Sequence, residues 1–318
     1  MNHFFDVDDI ESIELALARA QSIKAHPRKG YTEGNRTSIG LLFFNPSLRT
    51  RLSSQRAAQN LGLDVVVLDV GSESWKLEFS DGTIMNGASA EHIKEAAGVM
   101  GAYFDFLAIR AFASLEDRDL DYAEPVLTAF TKYAGVPIIN MESSTGHPLQ
   151  AFADLITINE FKKTERPKVV LSWAPHPRAL PHAVANSFAQ WMNRASVDLI
   201  ITHPEGYELD PKFVGSTQVQ TNQSLAFEDA DFIYAKNWSS YQHYGQVLHQ
   251  DSSWMINQEK MELTNQAYFM HCLPVRRNVI VSDQVIDSPN SLVIQQAANR
   301  VISMQTVLSM LLEQKSSE

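Results

Sequence analysis

Short apolar runs rich in β-branched residues alternate along the chain with longer segments whose apolar residues recur every three or four positions. In the first half, residues 38–44, 65–70, 106–110 and 136–141 read as strands; in the second half, 169–173, 197–201, 231–236 and 268–274 do so. Helical spacing marks 9–25, 47–62, 91–103, 122–134, 179–194 and 292–313, with another helix opening at Pro148. Strand, helix and strand within about thirty residues is a βαβ unit, which implies parallel pairing and a right-handed crossover. The alternation predicts an α/β chain of two doubly wound parallel-sheet domains. The run 65–70 predicts a strand buried on both faces. In the 47–62 helix, Ser47 is placed to cap, Leu48, Leu52, Ala58 and Leu61 to point inward, and Gly62 to close. Residues 71–90 break the pattern as a polar loop carrying Trp75 and Lys76.

Composition changes this picture mainly by exclusion. With 318 residues, 44% hydrophobic and 20% charged, the chain has the make-up of globular domains, about two by length. A net charge of -11 argues against general nucleic-acid binding and requires that any anionic substrate meet cations gathered locally. Cys272 is the one cysteine, so no intrachain disulfide and no thiol-rich metal site can form. Histidines 176, 182 and 203 lack the tight spacing of metal ligands, and neither a metal nor a cofactor is expected. Neither Gly-x-Gly-x-x-Gly nor a Gly-Lys-Ser/Thr phosphate loop occurs, which weighs against a nucleotide-dependent dehydrogenase. No apolar segment approaches the ~20 residues of a membrane span and the first residues are acidic, so the expected setting is the cytoplasm, without membrane or nucleic-acid partners.

The chemistry concentrates where strands end. From Phe43 to Arg51 an apolar run stops at Pro46 and a helix begins, putting free N–H groups, the hydroxyls of Ser47 and Thr50 and the guanidiniums of Arg49 and Arg51 within one turn. That is an anion site suited to phosphate, although an ordinary capped helix with solvated arginines reads the same way. Arg110 closes a strand at the edge where open α/β sheets place ligands. His147-Pro148-Leu149-Gln150 begins a helix, another oxyanion-facing location. In His271-Cys272-Leu273-Pro274-Val275-Arg276-Arg277, burial in a strand accounts for the thiol better than nucleophilic catalysis does. Trp75 is either a locally docked aromatic or a residue reaching into a binding site.

Taken together, Ser47-Leu48-Arg49-Thr50-Arg51, His147-Pro148-Leu149-Gln150 and His271-Cys272-Leu273-Pro274 resemble, in order, the carbamoyl-phosphate loop and two further signatures of the aspartate and ornithine carbamoyltransferases. The resemblance implies that Ser47, Leu48, Arg49, Thr50 and Trp75 hold phosphate, and that Thr50, Arg110 and His147 polarise the carbamoyl carbonyl, assisted by Arg300. Gln150 and the backbone carbonyls of Cys272 and Leu273 would orient the amide. It further implies residues 1–145 plus 292–318 as the carbamoyl-phosphate domain and 146–291 as the second-substrate domain, joined by crossover helices near 150 and 295. A homotrimer, with Trp75 donated to the neighbouring site, is implied too.

The second substrate is read from departures. Ornithine enzymes carry an Asp and a Ser-Met-Gly loop for the α-amino group, whereas this chain has Lys236-Asn237-Trp238. A cation there implies that the α-nitrogen carries no charge. With His176, Arg276 and Glu142, Lys236 resembles the set of the branch acting on N-acylated ornithine, the basic pair Arg276-Arg277 facing that substrate. At the position where acetyl users carry Glu and succinyl users Pro, this chain has Ala90, which would neither repel nor obstruct a succinyl carboxylate. Succinylornithine is therefore the expected acceptor, with acetylornithine or a non-catalytic binding paralogue as alternatives.

Overall fold

The computed structural model describes residues 1–28, 37–72 and 74–315; Glu73, within the Trp75 loop, and 316–318, at the C-terminal end, lie outside the described residues. The chain divides into two compact units, one formed by Met1–Ser114, Asp119–Leu149 and the chain from Arg300 on, the other by Leu115–Arg118 and Gln150–Asn299. Apart from the short Leu115–Arg118 excursion, the chain passes between the units inside two helices, in the first turn of Pro148–Phe161 and within Val293–Lys315.

The first unit contains β1 (Ser38–Phe43), β2 (Asp64–Asp69), the two-residue strands β3 (Leu77–Glu78) and β4 (Glu91–His92), β5 (Phe106–Arg110) and β6 (Ile138–Glu142). Its main sheet has the order β2-β1-β5-β6 with every pair parallel, and β3 pairs with β4 beside it. β1 and β5 are buried almost throughout, as interior strands of a sheet covered on both sides should be. β2 corrects the expectation of two buried faces: it is an edge strand, alternates in burial and leaves Val66 half exposed. On the opposite edge the N-terminal segment bridges β6, Phe4 N–H donating to the Ile138 carbonyl and the Phe4 carbonyl accepting from Asn140. That covering of an unpaired edge, with Phe4 fully buried, has no periodic signal in the sequence.

The second unit contains β7 (Lys168–Trp173), β8 (Asp198–Thr202), β9 (Gln218–Gln220), β10 (Phe232–Lys236) and β11 (Tyr268–Met270), in the order β11-β10-β7-β8-β9, again all parallel. β9 is a polar, solvent-facing edge strand, which is why no apolar run announces it. β11 stops at Met270, so Cys272 lies in the following turn and is half-buried, not a buried strand residue as expected. The core packs Val170, Ile233 and Phe269 of the strands against Phe227, Ile256 and Val281.

Helix starts shift by a few residues from the periodic pattern because caps, not periodicity, set them. The opening helix runs Ile13–Ala25 under a Ser12 cap, and the helix expected over 122–134 runs Pro125–Tyr133, starting at its proline, with a separate short helix, Arg118–Tyr122, before it.

Candidate active site

Three strand ends of the first unit build one polar cluster. Beyond β1 the chain turns through Asn45 and Pro46 into the Arg49–Asn60 helix, where Ser47 Oγ accepts from Thr50 N–H at 3.3 Å. Leu48 occupies the formal cap position and makes no side-chain cap bond. The inward face of this helix is Thr50, Ser53, Ser54, Ala57 and Ala58; Leu48 and Leu52, expected inside, are 70% and 57% exposed. Small residues let the helix lie close to its sheet, and the leucines fall on the outer face. Arg49 is half-buried and Arg51 exposed on the first turn.

Arg110, at the end of β5, is buried and makes the cluster rigid. Its Nη1 donates to the carbonyls of Asn45 (3.0 Å) and Pro46 (2.6 Å), tying down the turn that precedes Ser47. Its Nε and Nη2 reach Glu142 Oε2 at 3.2 and 3.1 Å, and the guanidinium lies 4.0 Å over the Phe112 ring. A register shift after Ile109 pairs Arg110 with Glu142 and so turns both side chains to the same side. Glu142 Oε2 is also 3.4 Å from His147 Nε2. Arg300, projecting from Val293–Lys315, donates through Nη2 to Thr50 Oγ1 at 2.6 Å and lies 3.4 Å from the same His147 nitrogen. Thr50, Arg110, His147 and Arg300 are all at least nine-tenths buried. One buried guanidinium is thus paired with a carboxylate while a second meets a hydroxyl and an imidazole, an array of donors suited to an anion. A cavity of about 290 Å³, lined by Phe43, Pro46, Ser47, Leu48, Arg51 and Asp69, opens at the head of this helix.

The loop before His147 is held by a residue the sequence did not single out. Glu124 accepts from Ser143 Oγ, Thr145 N and Thr145 Oγ1, each at 2.7 Å, and from Ser144 N at 3.2 Å. Its φ of 50° is left-handed, a strained conformation that those four donors retain.

In the second unit His176 lies just past β7, Lys236 ends β10, and Arg276 follows β11. Arg276 Nε donates to His176 Nε2 at 3.0 Å, and His176 Nδ1 meets the Arg178 backbone, 2.9 Å from its carbonyl oxygen and 3.1 Å from its N–H. Burial lowers the His176 pKa, and the charges of Arg276 and Lys236 lower it further, so the ring stays neutral and can accept. Neighbouring segments are pinned by Asn237 Nδ2 on the Ala174 carbonyl (2.7 Å) and Trp173 Nε1 on the Trp238 carbonyl (3.0 Å). Trp238 is fully buried, hence core. Arg277 corrects an expectation: it is held by Asp283 at 2.8 Å and Asp287 at 2.6 Å, which takes it out of the basic pair assigned to the second substrate. Leu273 has φ 56°, its N–H donating to His271 Nδ1 at 2.9 Å. Gln150, from the first turn of Pro148–Phe161, is 1% exposed.

Trp75 is 58% exposed, its Nε1–H donating to Glu91 at 2.7 Å, while Ala90 N–H donates to the Lys76 carbonyl at 2.9 Å. Strands β3 and β4 therefore hold Trp75, Lys76 and the exposed Ala90 at one end of a short ladder. Among the described residues no cluster of potential metal ligands occurs, and no helix is long and apolar enough to cross a membrane.

Two family models match the chain: aspartate/ornithine carbamoyltransferase, carbamoyl-P binding domain, over residues 2–160, and the Asp/Orn binding domain over residues 181–311. The chain belongs to the aspartate/ornithine carbamoyltransferase family. Within the family it is 55% identical to the N-succinylornithine carbamoyltransferase of Bacteroides thetaiotaomicron, across 98% of this chain and 99% of that protein. It is 37% identical to the N-acetylornithine carbamoyltransferase of Xanthomonas axonopodis pv. citri, across 99% and 97%. Among solved structures, a glutamate-to-valine mutant of N-acetyl-L-ornithine transcarbamylase complexed with carbamyl phosphate and N-succinyl-L-norvaline superposes with a TM-score of 0.92 at 37% identity, covering 98% of this chain and all of that one. The corresponding glutamate-to-alanine mutant, with the same two ligands, gives 0.91 at 38% and equal coverage.

Proposed function

We propose that the protein transfers the carbamoyl group of carbamoyl phosphate to the δ-amine of N2-succinyl-L-ornithine, giving N-succinyl-L-citrulline and phosphate, a step of arginine biosynthesis in the cytoplasm. The observation that carries the carbamoyl-transfer reading is the convergence of buried Arg110, His147 and Arg300 on the helix start that bears Ser47, Arg49 and Thr50. Ser47, the Leu48 backbone, Arg49 and Thr50 hold the phosphate, with Trp75 supplied by a neighbouring copy in a trimer. Thr50, Arg110, His147 and Arg300 draw charge from the carbonyl oxygen as the neutral amine attacks and the tetrahedral intermediate expels phosphate. Gln150 and the carbonyls of Cys272 and Leu273 take the carbamoyl NH2. Glu142, His176, Lys236 and Arg276 hold the acylated ornithine, and positioning supplies much of the rate.

The succinyl group is favoured by the relatives named for it, 55% identical against 37% for the acetyl enzymes. It is favoured also by Ala90, small, uncharged and exposed. The glutamate-to-alanine mutant of an acetyl enzyme, solved with N-succinyl-L-norvaline, is chemically in keeping with that reading. The test is mass-detected product formation from carbamoyl phosphate with ornithine, N-acetylornithine and N-succinylornithine in parallel. Turnover with the succinyl compound alone is expected. Turnover with only the acetyl compound would refute the acceptor, and none with any of the three would leave a non-catalytic binding protein.

A further inference from the structure

Asp154 is fully buried one helical turn beyond Gln150, and the proposed mechanism gives it no task. Its Oδ1 accepts from Gln150 Nε2 and from Gln296 Nε2, both at 2.7 Å. Gln296 in turn uses its Oε1 to accept from the His271 backbone N–H at 2.9 Å, at the entry to the Cys272–Leu273 turn. Gln150 Oε1 is buried and has no hydrogen-bond partner among the described residues. The fully buried Tyr234 phenol faces Asp154 and Cys272 from β10.

An ionised carboxylate can only accept, whereas an amide side chain can turn either end outward. A carboxylate beside two glutamines therefore fixes both: each must offer Nε2 to Asp154 and keep Oε1 for another donor. We propose that Asp154 is a positioning residue that sets the polarity of Gln150, so that the site presents a carbonyl acceptor to the NH2 of the carbamoyl group and is selective for an amide over an isosteric methyl. The Gln296 arm carries the same order into the His271–Leu273 backbone. This rests on the reading that Gln150 meets the carbamoyl amide.

The experiment measures, in Asp154→Asn, the affinity for two phosphate-bearing probes of similar size. Phosphonoacetamide carries the amide; acetyl phosphate carries a methyl in its place. Loss of the acceptor's enforced direction should weaken phosphonoacetamide, and raise the KM for carbamoyl phosphate, by about 5- to 30-fold, the worth of a buried hydrogen bond. Acetyl phosphate should change less than about twofold, by the same reasoning. A merely structural role would weaken both probes together, and unchanged phosphonoacetamide binding would also overturn the proposal. Asp154→Asn placed in a Gln150→Ala background should cost less than it does alone, the remainder coming through the Gln296 arm; fully additive losses would show that Asp154 does not act through Gln150. If Gln150→Ala alone leaves phosphonoacetamide binding intact, it is the assignment of Gln150 that falls, taking the role of Asp154 with it. Should Asp154→Asn not fold, a neutron structure of the unmodified protein reads the same point: deuterons are expected on the Gln150 atom facing Asp154, and an oxygen there refutes the inference.

Discussion

Arg110 shows how one side chain can organise a site before any ligand arrives. It joins the Asn45–Pro46 turn to Glu142 and stacks on Phe112, so its burial is compensated by acceptors on several sides. The same logic, with the opposite charge state, holds at His182. Burial brings its pKa down from 6.5 to about 4, partly opposed by the bond its Nε2–H donates to the Ser239 carbonyl at 2.8 Å. The unfolded chain takes up a proton as pH falls through 6.5 and the folded chain does not until about 4, so stability should be complete above 6.5 and decline through that window. The total is at most about 3 kcal/mol. Urea midpoints measured from pH 7 to 5, above the usual carboxylate range, should fall more steeply for the parent than for His182→Gln, which keeps a donor for Ser239, the remaining slope coming from His203, His176 and His3, whose pKa values burial also lowers. An equal decline in both would place the acid sensitivity elsewhere. Arg49, Thr50, Arg110 and His147 were legible as residues because their types and chain positions suit an anion at strand and helix ends, whereas Arg300, inside a long helix, was legible only through the family resemblance. Glu124 and Asp154 were not, although Asp154 stands four residues beyond Gln150, the spacing that puts two side chains on one helix face.

Elements were legible in so far as burial follows periodicity. β5 and β7 are mostly apolar runs and were found to within one residue, while β6, expected over 136–141, runs Ile138–Glu142. The Arg49–Asn60 helix was placed but rotated, because its buried face is built from Thr, Ser and Ala, which a hydrophobic stripe does not reveal. β3 and β4 are too short for any pattern, yet they fix where Ala90 stands relative to Lys76. On the proposed function, Ala90→Glu brings a carboxylate toward the succinyl end of the substrate. Two like charges about 5 Å apart cost about 3 kcal/mol at an effective dielectric near 20, and solvent at this exposed position reduces that. Loss of about tenfold or more in kcat/KM for succinylornithine is expected, with acetylornithine turnover unchanged or improved. Equal losses for both acceptors in parallel assays would remove Ala90 from specificity.

For the whole molecule, the proposed trimer turns on Trp75. Its indole is 58% exposed with the N–H taken by Glu91, which leaves the ring face open to a neighbouring copy. In the proposed trimer, Trp75→Ala and Arg300→Ala proteins should each be nearly inactive, while mixed and reassembled oligomers should regain activity at sites that combine one copy's Arg300 with the next copy's Trp75. Activity no greater than the sum of the parts would mean that each chain completes its own site.

The amino-acid sequence by itself determined the α/β alternation, the parallel sheets and the residue types at the strand ends, because hydrophobic period and turn chemistry are local properties of the chain. Tertiary structure alone decided that β2 lies at an edge, that Leu48 and Leu52 face outward and that Arg277 is neutralised by Asp283 and Asp287. It also decided that Arg300 reaches Thr50 across 250 positions of chain. Each of these depends on which surfaces meet after folding, and spacing along the chain carries no record of that.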